Sequence, residues 1–262
     1  MSPRRGFSLI ELLVVIAIIA LLISIVLPAL GSARATARRT QALANARTVA
    51  QSFESYLGDN DETYPFVAPS EDPMLPGGEG VLFIEWHPGG VFIGTNDVFM
   101  LSWGWPALVS SVAPWEEHYP TWVSPGKDTT LPKSPTSASE DRETEEDVSW
   151  RLSRSFLADP AAFEAGSSDD RRFVRAIRRA DVRYPAQKAM LWDTHLAFES
   201  SRPRLVDGHW QASTPIAFAD GHAATHLPQA AADPSPRRPF GEGRSAVRMH
   251  DTLNGAAGVD FN

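Results

Sequence analysis

The feature that most constrains this chain is Leu12–Leu27, sixteen residues interrupted only by Ser24 and carrying no charge. Phe7–Ile10 and Ala29–Leu30 extend it to the roughly 20 apolar residues that a helix needs to cross a bilayer, with Glu11 the single charged interruption. A helix buried in a soluble core seldom lacks a polar face over such a length, so the run predicts a membrane helix or an export signal. Three export readings fit it. A cleaved signal peptide would be cut at the small residues near Gly31–Ala35, a plain anchor would not be cut, and a leader of the third kind would be cut ahead of the apolar run, between Gly6 and Phe7.

Charge divides the chain in the same place. Residues 1–58 hold Arg4, Arg5, Arg34, Arg38, Arg39 and Arg47 against Glu11 and Glu54, a balance of +4 that leaves −12 on the remainder of a chain of net charge −8. An acidic body is a poor match for nucleic acid, whose phosphates require a basic face, whereas a basic stretch beside an apolar one suits a membrane surface. Arginines flank the apolar run on both sides, so the positive-inside rule alone does not orient it. Cysteine is absent, which excludes a disulfide framework and thiolate chemistry without fixing the compartment.

Past the apolar run, Leu43, Ala46, Ala50, Phe53 and Leu57 recur at steps of three and four, and Gly58-Asp59-Asn60-Asp61 supplies a stop. One helix from about Phe7 to Leu57, roughly 75 Å long, is expected, with its outer half laid against a globular domain and Pro28 bending or loosening it.

Arg4-Arg5-Gly6-Phe7-Ser8-Leu9-Ile10-Glu11-Leu12-Leu13-Val14-Val15 resembles the leader junction of type IV pilins and type II secretion pseudopilins. That resemblance implies cleavage after Gly6 by prepilin peptidase and N-methylation of Phe7. It further implies that Glu11 serves assembly by meeting the new amine of a neighbouring subunit, and that Pro28 marks the usual helix break. The expected partners are the peptidase, other pilin or pseudopilin subunits, an inner-membrane assembly platform and membrane lipid. The expected place is a single pass of the inner membrane with the head outside the cytoplasm. The domains are then a leader at 1–6, a transmembrane and assembly helix at 7–30, its amphipathic continuation at 31–58, and an extracytoplasmic head at 59–262. A membrane-tethered module binding glycan or an exported protein is the alternative reading.

For the head, short apolar runs at Val81–Trp86, Gly90–Ile93, Val98–Leu101, Lys188–Trp192 and Pro215–Ala219 read as strands. Asp220-Gly221 reads as a two-residue hairpin turn, and Ser168–Val182 as a helix with an arginine face that pairs with acids of the head. Ser134–Asp147 reads as a solvated loop. The expected class is α+β, a long N-terminal helix packed on an antiparallel-sheet head. Tyr56–Asn60, Tyr64-Pro65, Arg183-Tyr184-Pro185, Phe218–His222 and Asn254-Gly255 through Phe261 follow an order similar to a bacterial group of pilin-like proteins. That group carries a histidine, nine intervening residues, then Asp-Gly. Here Trp210 holds the histidine's place and His209 precedes it by one.

No cofactor and no metal is expected. His222 and His226 lie about 13 Å apart on an unbent strand, too far for one ion. Asp193-Thr194-His195 lacks an accompanying nucleophile motif, and the acidic groups Asp59/Asp61/Glu62 and Glu140–Asp147 lack the spacing of a calcium loop. Of the eight tryptophans, Trp103 and Trp105 form either an exposed aromatic patch or part of the core, and the core reading is preferred. No enzymatic activity is expected.

Overall fold

The computed structural model describes residues 9–66, 101–127, 148–167, 173, 175–199, 201–205, 210–236 and 246–262, with the backbone alone for 82–85, 92–95, 101 and 103. Gly6, Phe7, His209 and the Ser134–Asp147 loop lie outside the described residues.

A single helix, α1 (Leu9–Asp59, 51 residues), leads into the head. It passes Gly58 and ends one residue later. Asn60 Nδ2 donates to the Tyr56 carbonyl at 2.8 Å, the Glu62 amide to the Leu57 carbonyl at 3.0 Å, and Asp61 and Glu62 turn the chain with φ of 50° and 57°. Beyond it come a two-stranded antiparallel ribbon, β1 (Leu82–Glu85) and β2 (Phe92–Thr95), then α2 (Leu101–Leu108) and α3 (Trp115–Trp122). Leu101, expected to close a strand, instead opens α2.

The head's main sheet is antiparallel in the order β3 (Trp150–Leu152), β4 (Ala189–Asp193), β5 (Thr214–Phe218), β6 (Ala223–His226). Every residue of the two central strands is buried, so both faces of the sheet are covered. Ala217 and Ala219 join the core that holds Ala46, Val49, Ala50 and Phe53 of α1, while Ile216 and Phe218 join a second core with Trp192, Met249 and Phe261. Small side chains on both partners let the helix and the sheet approach closely.

Trp105, Trp115, Trp122, Trp150 and Trp192 lie in the core, while the side chain of Trp103 lies outside the described residues. Trp105 is fully buried, its ring centroid 5.5 Å from Phe53 and 5.3 Å from Trp122, and its indole N–H donates to the Trp150 carbonyl at 2.9 Å. Trp150 is buried in turn and donates to the Thr121 carbonyl at 3.0 Å. A buried indole N–H usually finds such a partner.

Two sequence expectations are corrected. The β5–β6 hairpin is not closed by two residues. The Gly221 amide donates to the Phe218 carbonyl and the Phe218 amide to the His222 carbonyl, with Gly221 at φ +85°, which is a three-residue loop with a bulged glycine. The helix expected over Ser168–Val182 is absent from residues 175–182. There the chain is extended and closes with a short 3-10 turn at Arg179–Asp181, because Thr63 bridges Arg178 and the Tyr64 amide bonds the Ile177 carbonyl at 2.8 Å. Pairing with the chain leaving α1 overrides the helical periodicity. The arginines do meet acids: Arg175 meets Asp159 and Asp181, and Arg179 meets Glu54 and Glu62. Burial would raise the Asp181 carboxyl, but its hydrogen bonds to Arg175 and to the Arg178 amide hold it below the usual range.

The second face of the sheet is closed by the C-terminal segment, residues 246–262, through two buried ion pairs. Arg154 grips Asp251 with both guanidinium edges, one bond at 2.9 Å. Lys188, fully buried, donates to Asp260 Oδ2 at 2.9 Å and to Ser155 Oγ at 3.1 Å, and it also meets Thr252. Asp260 additionally accepts from the Ala189 amide at 3.0 Å and from Thr252 at 2.6 Å. Burial pushes the Lys188 ammonium down and Asp260 opposes that shift. A buried charge left without its partner is costly, whereas an apolar pair of similar size is often tolerated. Asp260→Ala is therefore expected to lower head stability by about 3–5 kcal/mol in denaturant unfolding, and Lys188→Met with Asp260→Leu by much less.

Candidate functional site: a helix with two surfaces

Along α1 the sequence makes two different surfaces. From Leu9 to Leu30 the large apolar side chains stand exposed, among them Leu13 at 64% and Ile25 at 65%. From Ala42 to Leu57 a stripe of Ala42, Asn45, Ala46, Val49, Ala50, Ser52, Phe53 and Leu57 is buried against the head. The expected stripe recurs here, with Leu43 partly buried at its margin. The first half is long and apolar enough to cross a membrane, and no part of its most apolar stretch is buried by the rest of the chain.

Glu11 lies in the first turn of this exposed half, the one carboxylate between Leu9 and Phe53. Pro28 lies inside the helix, which stays helical on both sides of it. Its ring removes one backbone hydrogen bond, so the helix is loosened there without ending.

Where the helix meets the head, Arg39 grips Glu199 through two bonds of 2.8 and 2.7 Å. With Arg39 58% exposed, such a pair contributes about 0.2–1 kcal/mol. The Arg38 guanidinium lies beside Gly126, 3.6 Å from where a Cβ would stand. Gly126 has φ +107° and approaches the Ala197 carbonyl so closely that a Cβ would sit 2.8 Å from its oxygen, which makes the glycine obligatory in this contact.

The head's polar candidates are spread over the fold. His222 Nδ1 meets Asp220 Oδ1 at 2.5 Å within the β5–β6 turn, and its ring stacks on Phe218 at 4.3 Å. His226 packs instead against Phe218 and Phe261, and burial, followed by the neighbouring His222, lowers its pKa. Asp59 and Asp61 are exposed at the helix end, and Glu62 is engaged by Arg179. Among the described residues, no three His, Cys, Asp or Glu side chains come together as a metal site. Asp193 Oδ1 caps the chain after β4, accepting from the His195 amide at 2.9 Å and the Leu196 amide at 3.2 Å, while Oδ2 is buried without a partner. The carboxylate thus shapes a turn, and Thr194 donates to the Ser149 carbonyl at 2.9 Å beside it.

The buried pairs Arg154–Asp251 and Lys188–Asp260 are absent from the sequence-based expectations. Their members stand 97 and 72 residues apart, and no local pattern links them.

Residues 1–27 match the family model described as the prokaryotic N-terminal methylation motif, which supports a type IV pilin-like relation for the leader and the start of α1. Proteins carrying that motif are structural rather than enzymatic, are processed by prepilin peptidase and assemble with other pilins. The motif together with the exposed apolar half of α1 fits a membrane-anchored protein. No curated protein and no solved structure showed significant similarity to the chain.

Asp193 gives the head a pH dependence. Burial pushes its carboxyl up to about 6, against the nearby Ser124 hydroxyl and the His195 and Leu196 amides, which favour the ion. The folded state therefore holds this proton more tightly than the unfolded chain does. Its contribution is fully present below about pH 4 and is lost as pH rises through about 6, a change on the order of 2–3 kcal/mol. Asp193→Asn keeps the Oδ1 acceptor and removes the charge. Thermal unfolding between pH 4 and 7 is expected to lose this decline, with the variant more stable than the parent at pH 7.

Proposed function

We propose that this chain is a pilin-like structural subunit, cleaved between Gly6 and Phe7, N-methylated on Phe7, and added through α1 to a type IV pilus or a type II secretion-like filament. The reading is carried by one observation. Directly behind a prepilin-type junction stands a helix whose first half is exposed and apolar apart from Ser24 and one carboxylate, Glu11, in its first turn.

The physical logic has two stages. In the bilayer the surface from Leu9 to Leu30 is solvated by lipid, which anchors the subunit with its head outside the cytoplasm. A carboxylate at Glu11 is costly at membrane depth unless neutralised or paired. Cleavage after Gly6 creates an amine on Phe7, four residues away, and in a filament the amine of one subunit meets Glu11 of its neighbour. The same apolar surface then leaves lipid for the helices of other subunits, and the charge pair sets their register. Such a protein acts by being added to and lost from a polymer through the inner-membrane assembly platform, and it needs no catalytic constellation.

Replacing Glu11 by Ala tests this directly. Membrane insertion and the fold of the head are expected to persist, while recovery in sheared filaments falls at least tenfold relative to wild type. Unchanged incorporation of the variant would remove Glu11 from the assembly role.

A further inference from the structure

Four exposed arginines follow the apolar half of α1: Arg34, Arg38, Arg39 and Arg47. No acidic residue stands on the helix between Glu11 and Glu54 to balance them. Projected at about 100° per residue, the buried residues of α1 fall in an arc about 160° wide, and Arg34, Arg38 and Arg39 fall within that same arc. Arg47 falls about 60° outside it. The first three therefore face the head's side of the helix, yet lie below Ala42, the first buried residue of α1. On a rise of 1.5 Å per residue, Arg34 stands about 6 Å and Arg38 about 12 Å beyond Leu30, the last of the large exposed apolar side chains.

With the apolar half of α1 across a bilayer, that position is the gap between the head's underside and the membrane surface. The head side of the gap is formed by the turn at Gly126 beside Arg38, with Lys127 next to it, and by Glu199, which engages Arg39. Among the described residues neither Arg34 nor Arg38 has an ion-pair partner. The remainder of the chain beyond Gly58 carries −12, which an anionic membrane surface would repel. Two guanidinium groups between these like-charged surfaces relieve that repulsion, and planar donors suit a phosphodiester.

We propose that Arg34 and Arg38 form a binding collar for anionic phospholipid headgroups of the leaflet beneath the head, holding the acidic head down against the membrane before assembly. The collar rests on the reading that α1 spans the bilayer with the head on the far side. It adds a lipid class, a leaflet and two named residues. A basic residue near an anionic surface favours it by about fivefold, so two together give a readable preference.

The full chain is placed in bilayers of equal phosphatidylglycerol and phosphatidylcholine, and the lipids that remain bound after mild detergent extraction are quantified. The expected result is a phosphatidylglycerol enrichment of at least fivefold over bulk. It should fall in 0.5 M salt, drop close to the bulk ratio in Arg34→Gln/Arg38→Gln, and stay unchanged in Arg47→Gln, which points away. Equal loss in Arg47→Gln would mean charge alone and would overturn the collar. A bulk ratio for a chain that resists carbonate extraction would overturn the collar and leave the membrane reading standing. Release of the chain by carbonate would overturn both. Crosslinking of Arg38 to the head of a second copy, without lipid enrichment, would assign the arginines to subunit contact instead.

Discussion

A single continuous helix must satisfy two media. Over Ala42–Leu57 it contributes a buried stripe to a protein core, and over Leu9–Leu30 it offers an apolar surface, broken only by Glu11 and Ser24, that the rest of the chain does not cover. The difference is written in side-chain size and pattern. Ala46 and Ala50 share a core with Ala217 and Ala219, small residues on both sides, whereas the Leu, Ile and Val of the first half ring the helix on all sides. Apolar area of that extent is stable only in lipid or against like helices. The rest of the architecture follows from this, since the head holds one half of the helix firmly and leaves the other half uncovered.

The head does this with a small sheet closed on both faces. The helix covers one face, and the C-terminal segment covers the other, fixed by Arg154–Asp251 and Lys188–Asp260. Buried ion pairs of this kind repay their desolvation only when fully hydrogen-bonded, and the Asp260 carboxylate, with Lys188, Ala189 and Thr252 as donors, meets that condition. They specify where the tail docks more than they add to its stability.

How much of this was legible in the sequence depended on the range of the interaction. The helix and its stripe were readable because their periodicity is local: Ala46, Ala50, Phe53 and Leu57 all fall in the buried face. The central strands β4 and β5 were readable as apolar runs. The β5–β6 turn was located, but its form was missed. Asp-Gly suits a two-residue loop, and only the Gly221 geometry, with the bulge it carries, reveals the longer one. Ser168–Val182 reads as helical from its Ser168 cap and its arginine face, yet backbone pairing with Glu62–Tyr64 holds residues 175–178 extended. The two ion pairs were invisible because nothing near Lys188 announces a partner at Asp260. For the N-terminal site, the leader junction was carried by Arg4–Val15, and the matched motif spans residues 1–27.

The proposed processing removes a six-residue leader and leaves Phe7 as the first residue, directly ahead of the apolar half of α1. The most direct measurement is intact mass with N-terminal peptide sequencing of the protein recovered from its native membrane. A chain beginning at N-methylated Phe7 is the predicted result. A chain beginning at Met1, or one beginning near Ala35–Thr36 with the apolar run removed, would contradict it.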